Sequence, residues 1–192
     1  ELDLKVSQIG SYTFSDCKKL ESIRIEGHDN RYNEISANAF NGCNKLTKIY
    51  WGKGVRSVSY DAFSGCSSLA ALYITDLEAW CKVSFQMNPR GSNIESNPLC
   101  YAKNLYLNGN LVTNLIIPDS ITTIYAYSFW GCTSINRLVL HNKVTTINIQ
   151  AFKGCVNLAE VNIPQSLVTI GSDAFTDCNI QKVYATSLEA WC

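Results

Sequence analysis

The hydrophobic positions of this chain recur in one order six times. Each copy centres on a Phe followed three residues later by a Cys: Phe14 and Cys17, Phe40 and Cys43, Phe63 and Cys66, Phe129 and Cys132, Phe152 and Cys155, Phe175 and Cys178. Successive Phe positions lie 26, 23, 66, 23 and 23 residues apart, a period of 23 with one short insertion and one long gap. An aliphatic residue stands five before each Phe (Ile9, Ile35, Val58, Ile124, Ile147, Ile170), and three before that comes another apolar residue, from Val6 and Tyr32 to Val144 and Leu167. Downstream of each Cys follows a Leu-x-x-Ile-x-Ile type segment, as at Leu20, Ile23 and Ile25 or at Leu158, Val161 and Ile163.

The alternation that closes each segment is the period of a half-buried strand. One strand per 23 residues cannot bury its apolar face alone, so the repeat predicts stacked coils with parallel strands and vertical ladders of Phe, Cys and aliphatic residues inside. Stretches such as 36–43 are too brief for independent helices. They predict a helical or 3₁₀ turn on the opposite wall, ended by Gly42, Gly65, Gly131 and Gly154 through their tolerance of positive φ. Pro118 and Pro164 close their strands, because proline has no amide to give a ladder.

Between Phe63 and Phe129 the period lapses. Thr75-Asp-Leu-Glu78 reads as a capping box announcing a short helix with Ala79, Trp80 and Cys81. A polar stretch from Gln86 to Pro98 reads as an ordered loop, and strand-like pieces resume at 105–107 and 115–117. We expect about three modified coils here and no domain break. The last seven residues, 186–192, nearly repeat 75–81 and read as the start of a second insert, so the array is expected to continue beyond both ends.

The motif Ile-Gly-x-x-Ala-Phe-x-x-Cys-x-x-Leu-x-x-Ile-x-Ile-Pro-x-Ser, best seen from Ile147 to Ser166, resembles the BspA-like class of leucine-rich repeats. The resemblance covers essentially the whole chain; Thr13 and Ser128 replace the usual Ala, and Gly10 has a Gly counterpart only at Gly171. It implies an α/β solenoid: a right-handed leucine-rich repeat with a parallel β-sheet on one wall and short helical or 3₁₀ turns on the other. The expected organisation is one domain over 1–192, with regular coils at 1–74 and 119–185, modified coils at 75–118 and a second insert from 186. The resemblance also implies a secreted or cell-surface module, of adhesin type, whose partner is a protein or other extracellular macromolecule. A substrate-recognition module attached to a separate enzyme domain is the alternative.

Composition narrows the chemistry. Sixteen basic and sixteen acidic residues give a formal net charge of zero, which supplies no field for a phosphate backbone, so nucleic acid is not an expected partner. No apolar run approaches the roughly 18 residues that would span a bilayer. Eighteen Asn residues include no Asn-x-Ser/Thr acceptor, which favours a producer without N-glycosylation. Nine cysteines, an odd number, cannot form a closed disulfide set; the six in the ladder are expected to be buried thiols, and a Cys81–Cys100 bridge stays open. They lack the Cys-x₂₋₄-Cys pairing of a zinc site. His28 and His141 stand in Gly-His-Asp and His-Asn turn contexts that suggest no Ser-His-Asp or Cys-His arrangement, and His28-Asp29-Asn30 offers too few oxygens for calcium. No catalytic site, metal or cofactor is expected.

What remains is the outward row of the strands. Arg24, Tyr50, Tyr73, Ile116, Val139, Asn162 and Tyr184 fall between the last two buried strand positions, and Ser22, Lys48, Ala71, Asn114, Arg137, Glu160 and Lys182 fall two residues earlier. Tyr and Arg combine large contact area with a polar tip, as protein-binding surfaces require. The candidate binding residues are therefore Arg24, Lys48, Tyr50, Tyr73, Arg137, Lys182 and Tyr184. Trp130 stands where other copies carry small or polar residues, and packing against the insert is its expected role.

Overall fold

Alternating apolar segments become strands that stack in parallel, as the repeat predicts, in a computed structural model that describes residues 1–27, 33–88 and 96–185. On the principal wall the strands Leu2–Val6, Ser22–Gly27, Lys48–Trp51, Ala71–Ile74 and Leu105–Leu107 pair in that order, and Asn110–Leu111 closes the sheet as an antiparallel hairpin partner. A second sheet continues the wall with Asn114–Ile116, Arg137–Val139, Glu160–Ile163 and Lys182–Ala185, all parallel. Along the strands the inward residues, such as Ile23, Ile49, Leu72, Leu105, Leu138 and Val161, are buried.

Two features differ from expectation. A second wall also carries parallel strands: Gln8–Ile9, Asn33–Ile35, Val55–Val58 and Ser84–Phe85 in one sheet, Thr123–Ile124, Thr146–Ile147 and Thr169–Ile170 in another. In all but the last of the six copies, the aliphatic residue five before Phe is a buried member of this short strand. The wall bearing Phe and Cys, expected to be helical or 3₁₀, is instead a run of tight turns. Alternate amides bond backward by three residues (Ser15 to Tyr12, Cys17 to Phe14) while the others cross to the next coil (Phe14 to the Ala39 carbonyl, Asp16 to that of Asn41). Such alternation needs left-handed residues, and each coil has two, four apart. One is Gly42, Gly65, Gly131 or Gly154, at φ 71–74°, and Asp16 or Asp177 in the first and last copies; the other precedes Phe by two, where Asn38, Asp61 and Asp173 tolerate the conformation.

Among the described residues, the gap between Phe63 and Phe129 holds one turn-wall helix and an added hairpin, where about three modified coils were expected. The helix Leu99–Ala102 takes the place of a Phe turn: the Tyr101 hydroxyl accepts from the Gly65 amide on one side, and the Lys103 carbonyl accepts from the Thr133 amide on the other. The preceding helix, Leu77–Cys81, forms as expected, but its cap is Asp76, whose carboxylate accepts from Ala79 N at 2.9 Å. Asp outcompetes the neighbouring Thr because its carboxylate also meets the positive end of the helix. Glu78 turns outward to Lys82 instead of reaching back.

Inside, Phe14, Phe40 and Phe63 stack at 5.3 Å with planes within 8°, and Phe129, Phe152 and Phe175 do the same at 5.3 and 5.4 Å. The Cys ladder lies beside them. The thiols of Cys43, Cys66, Cys155 and Cys178 donate to the carbonyls of Phe14, Phe40, Phe129 and Phe152 in the coil before. All eight described cysteines, Cys81 and Cys100 among them, are thiols. Burial pushes Cys43 up to about 11 and Cys81 up to about 12 from an ordinary 9.0, and it raises Cys132 as well.

The core sets two measurable costs. Phe152, fully buried between two rings, should cost about 3–5 kcal/mol when replaced by Ala, whereas Phe14, partly exposed with one ring neighbour, should cost distinctly less; chemical denaturation measures both. The buried thiols hold their protons more tightly folded than unfolded. Their contribution to stability is therefore fully present below the unfolded value near 9 and is lost as pH rises toward 11–12, at up to about 1.4 kcal/mol per pH unit for each thiol. Stability measured across that window should fall, and substitution of Cys81 by Ala should make the fall shallower.

Candidate functional site

Parallel pairing without register shift places equivalent residues of successive strands side by side, so the outward residues form a straight row. In the first sheet that row runs Asp3, Arg24, Tyr50, Tyr73, Tyr106, and the antiparallel pairing adds Leu111 beside Tyr106. The Tyr50 and Tyr73 rings stack at 5.0 Å and 22°, and those of Tyr73 and Tyr106 at 4.7 Å and 21°. The Arg24 guanidinium carbon lies 4.6 Å from the Tyr50 ring centroid, a cation–π contact. Asp3 holds Arg24 from the other side at 3.4 Å, with Glu1 at 3.8 Å.

The result is a pre-ordered amphipathic strip. Because the rings cover one another's faces, their edges and hydroxyls are what they turn outward, and all three are half-buried. Lys48 is exposed in the adjacent row, between Ser22 and Ala71, and forms no ion pair among the described residues. Tyr106 and Leu111 were not among the sequence candidates because the lapse of the Phe period left the strand-like piece 105–107 without a place in the repeat alignment. Leu105-Tyr106-Leu107, with the same apolar–Tyr–apolar order as Ile49-Tyr50-Trp51, was the available signal.

The other candidates lie apart from this row. Arg137 and Lys182 flank Glu160 on the second sheet, at 3.9 and 3.3 Å, so these two cations share the one acid between them. Tyr184 sits at the far edge of that sheet, exposed, with Asn162 as its strand neighbour. Asn162 itself serves the backbone, accepting from Leu140 N. The first and second sheets are not hydrogen-bonded to each other, and the structure does not bring Tyr184, Lys182 or Arg137 to the tyrosines.

The remaining chemistry is absorbed by the scaffold. The two ring nitrogens of His141 are taken, Nε2 by the Pro118 carbonyl at 3.0 Å and Nδ1 by the Lys143 amide at 3.2 Å; His28 to Asn30 lie outside the described residues. Trp130 is partly buried against the core and meets Tyr127 at 6.5 Å. Among the described residues no group of three or more His, Cys, Asp or Glu could hold a metal ion, and no helix is long and apolar enough to cross a membrane. An open cleft of about 450 Å³ beyond the carboxyl ends of the first strands has Lys5 and Lys53 offset by Glu26 and Asp76.

The family pattern described as "BspA type Leucine rich repeat region" matches six copies, over residues 1–95 and 102–189. Among solved structures, a leucine rich cell surface protein from Faecalibacterium prausnitzii A2-165 is similar with a TM-score of 0.57 and 23% identity, over 97% of this chain and 48% of that one. The leucine rich repeat protein of T. pallidum matches with a TM-score of 0.49 and 21% identity, over 92% of this chain and 71% of that one. This chain thus spans about half the length of the Faecalibacterium protein. No curated protein matches it in sequence.

The Arg137–Glu160–Lys182 chain is exposed, so its energy is small. Glu160→Gln should lower stability by less than about 1 kcal/mol, and the difference from wild type, read by denaturant titration, should shrink as salt is added.

Proposed function

Since the chain belongs to the BspA-type leucine-rich repeat family, we propose that it is a non-catalytic binding module of a secreted or surface-displayed protein, and that it engages a protein partner through the strip from Arg24 to Leu111. The observation that carries the reading is the unbroken stack of Arg24, Tyr50, Tyr73 and Tyr106. An aromatic row already stacked in the free protein loses little side-chain freedom on binding, so more of its contact energy reaches the affinity. Tyr and Arg, which make up the stack, are residue types on which binding energy concentrates, with Lys48 beside them and Leu111 closing the row. Surface display belongs to the same proposal and is drawn from the family.

The test is binding to a panel of immobilised extracellular proteins, followed by substitution on any that binds. Tyr50→Ala with Tyr73→Ala should remove about 2 kcal/mol or more of binding free energy. The Phe pair at the same positions keeps the stack and should retain most of the affinity, with an unchanged melting temperature. Tyr184→Ala, on the other sheet, should leave binding as it was. Full affinity in the Ala pair would place recognition elsewhere.

A further inference from the structure

Two Asn-Gly pairs occur in the chain, Asn41-Gly42 and Asn108-Gly109, and the structure treats them in opposite ways. Asn41 lies half-buried on the turn wall. Its side-chain amide donates to Asn38 Oδ1 at 3.0 Å, its carbonyl accepts the Asp16 amide at 2.7 Å, and the Gly42 amide donates to the Ser64 carbonyl at 2.8 Å. Both groups that would have to meet in a cyclisation are thus held in place. Asn108 and Gly109 form the exposed two-residue turn of the hairpin, at φ 50° and 81°. There the Asn108 side chain and the Gly109 amide make no hydrogen bond with any described residue, and a Cβ at position 109 would meet nothing within 4 Å. The strand beyond the turn is two residues long and exposed, so it resists distortion of the turn only weakly.

We propose that Asn108 is a site of spontaneous covalent modification, through a cyclic imide with Gly109. The Gly109 nitrogen, having given its proton to hydroxide, attacks Asn108 Cγ. A new N–C bond closes the five-membered ring and the side-chain nitrogen leaves as ammonia. Water then opens the ring at either carbonyl, giving an ordinary aspartyl residue or an isoaspartyl linkage in which the main chain runs through the former side chain. No oxidant or cofactor is needed. Gly at the following position leaves the attacking nitrogen unshielded and its backbone free to adopt the cyclising conformation, and the neighbouring group acts at high effective concentration.

The consequence reaches the tyrosine row. Either product puts a carboxylate at the tip of the hairpin, and the isoaspartyl form adds a methylene to a two-residue loop whose length sets the register of Leu107 with Asn110 and of Tyr106 with Leu111. The site therefore lies where the strip ends, and its conversion alters the edge the strip presents.

The test needs no ligand. Folded protein is aged in mildly alkaline buffer, and a parallel sample is aged in denaturant. Peptide mass spectrometry with fragment-ion localisation then follows conversion at both Asn residues, and isoaspartate is assayed separately. In the folded protein Asn108 should convert about tenfold or more faster than Asn41, in line with the proximity its free groups permit. In denaturant the two rates should converge, since the protection of Asn41 is structural. Isoaspartate should accompany aspartate among the products at Asn108. Comparable rates at the two sites in the folded protein, or conversion at Asn108 without isoaspartate, would overturn the proposal.

Discussion

Every coil leaves the backbone edge of its strands and turns unpaired toward the next coil, and the fold depends on meeting that edge in register. On the principal wall this is ordinary parallel pairing. On the turn wall it is the crossing bonds from Phe14 to Ala39, Phe40 to Ala62, Phe129 to Ala151 and Phe152 to Ala174. The thiol ladder belongs to the same requirement. The carbonyl of the ladder Phe takes the amide of the Cys in its own coil and, in four of the stacked pairs, the thiol of the Cys in the next. Cys suits the position because it is small and apolar yet still a weak donor; a larger donor would not fit beside stacked rings. Where two coils approach most closely the requirement falls on glycine instead, as at Gly27 and Gly54, each of whose Cβ atoms would lie 2.4 Å from the other's backbone.

Register makes the surface as well as the core. The vertical distance that brings Phe onto Phe at 5.3 Å inside brings Tyr onto Tyr at 4.7 to 5.0 Å outside. An aromatic residue at one outward position of three successive strands is therefore stacked by the scaffold and needs no further device to order it. The same geometry works against isolated cations. Arg137 and Lys182 are two coils apart with Glu160 between, so the repeat aligns them into an ion-paired chain, whereas Lys48 has Ser22 and Ala71 as its row neighbours and stays open.

What could be seen in the sequence was whatever recurs as a side-chain type. Phe, Cys and the inward aliphatics do, and so the solenoid, its parallel sheet and the Gly positions of positive φ were legible, as were Tyr50 and Tyr73. The second wall was not, because its strands are two to four residues long, too short to show an alternation, even though Thr123, Thr146 and Thr169 recur at one outward position. The left-handed residue two before Phe was hidden likewise. Asn38 and Asp61 would announce it, but Tyr12, Tyr127 and Gln150 adopt it with no local preference to betray them, held there by the crossing hydrogen bonds. Ion pairing across coils was missed for a different reason: Arg137, Glu160 and Lys182 stand in order in one outward row of the sequence, but each basic residue read by itself leaves out the acid between them.

The insert shows what the repeat cannot do for itself. A strictly periodic solenoid offers the same outward position again and again, and its rows run on to the next coil. Here the hairpin turns the chain back after Leu107, ends the first sheet with an antiparallel strand and lets a second sheet begin at Asn114. The core does not break with the sheet, because the helix Leu99–Ala102 bridges the turn wall and Trp80, donating to the Ser128 carbonyl, ties the first helix to the coil beyond. Continuity inside with interruption outside gives the tyrosine row a defined end, at Tyr106 and Leu111, and separates it from the ion-paired chain on the following sheet. A surface element of fixed length thus arises on a repeating scaffold from the long gap in its period.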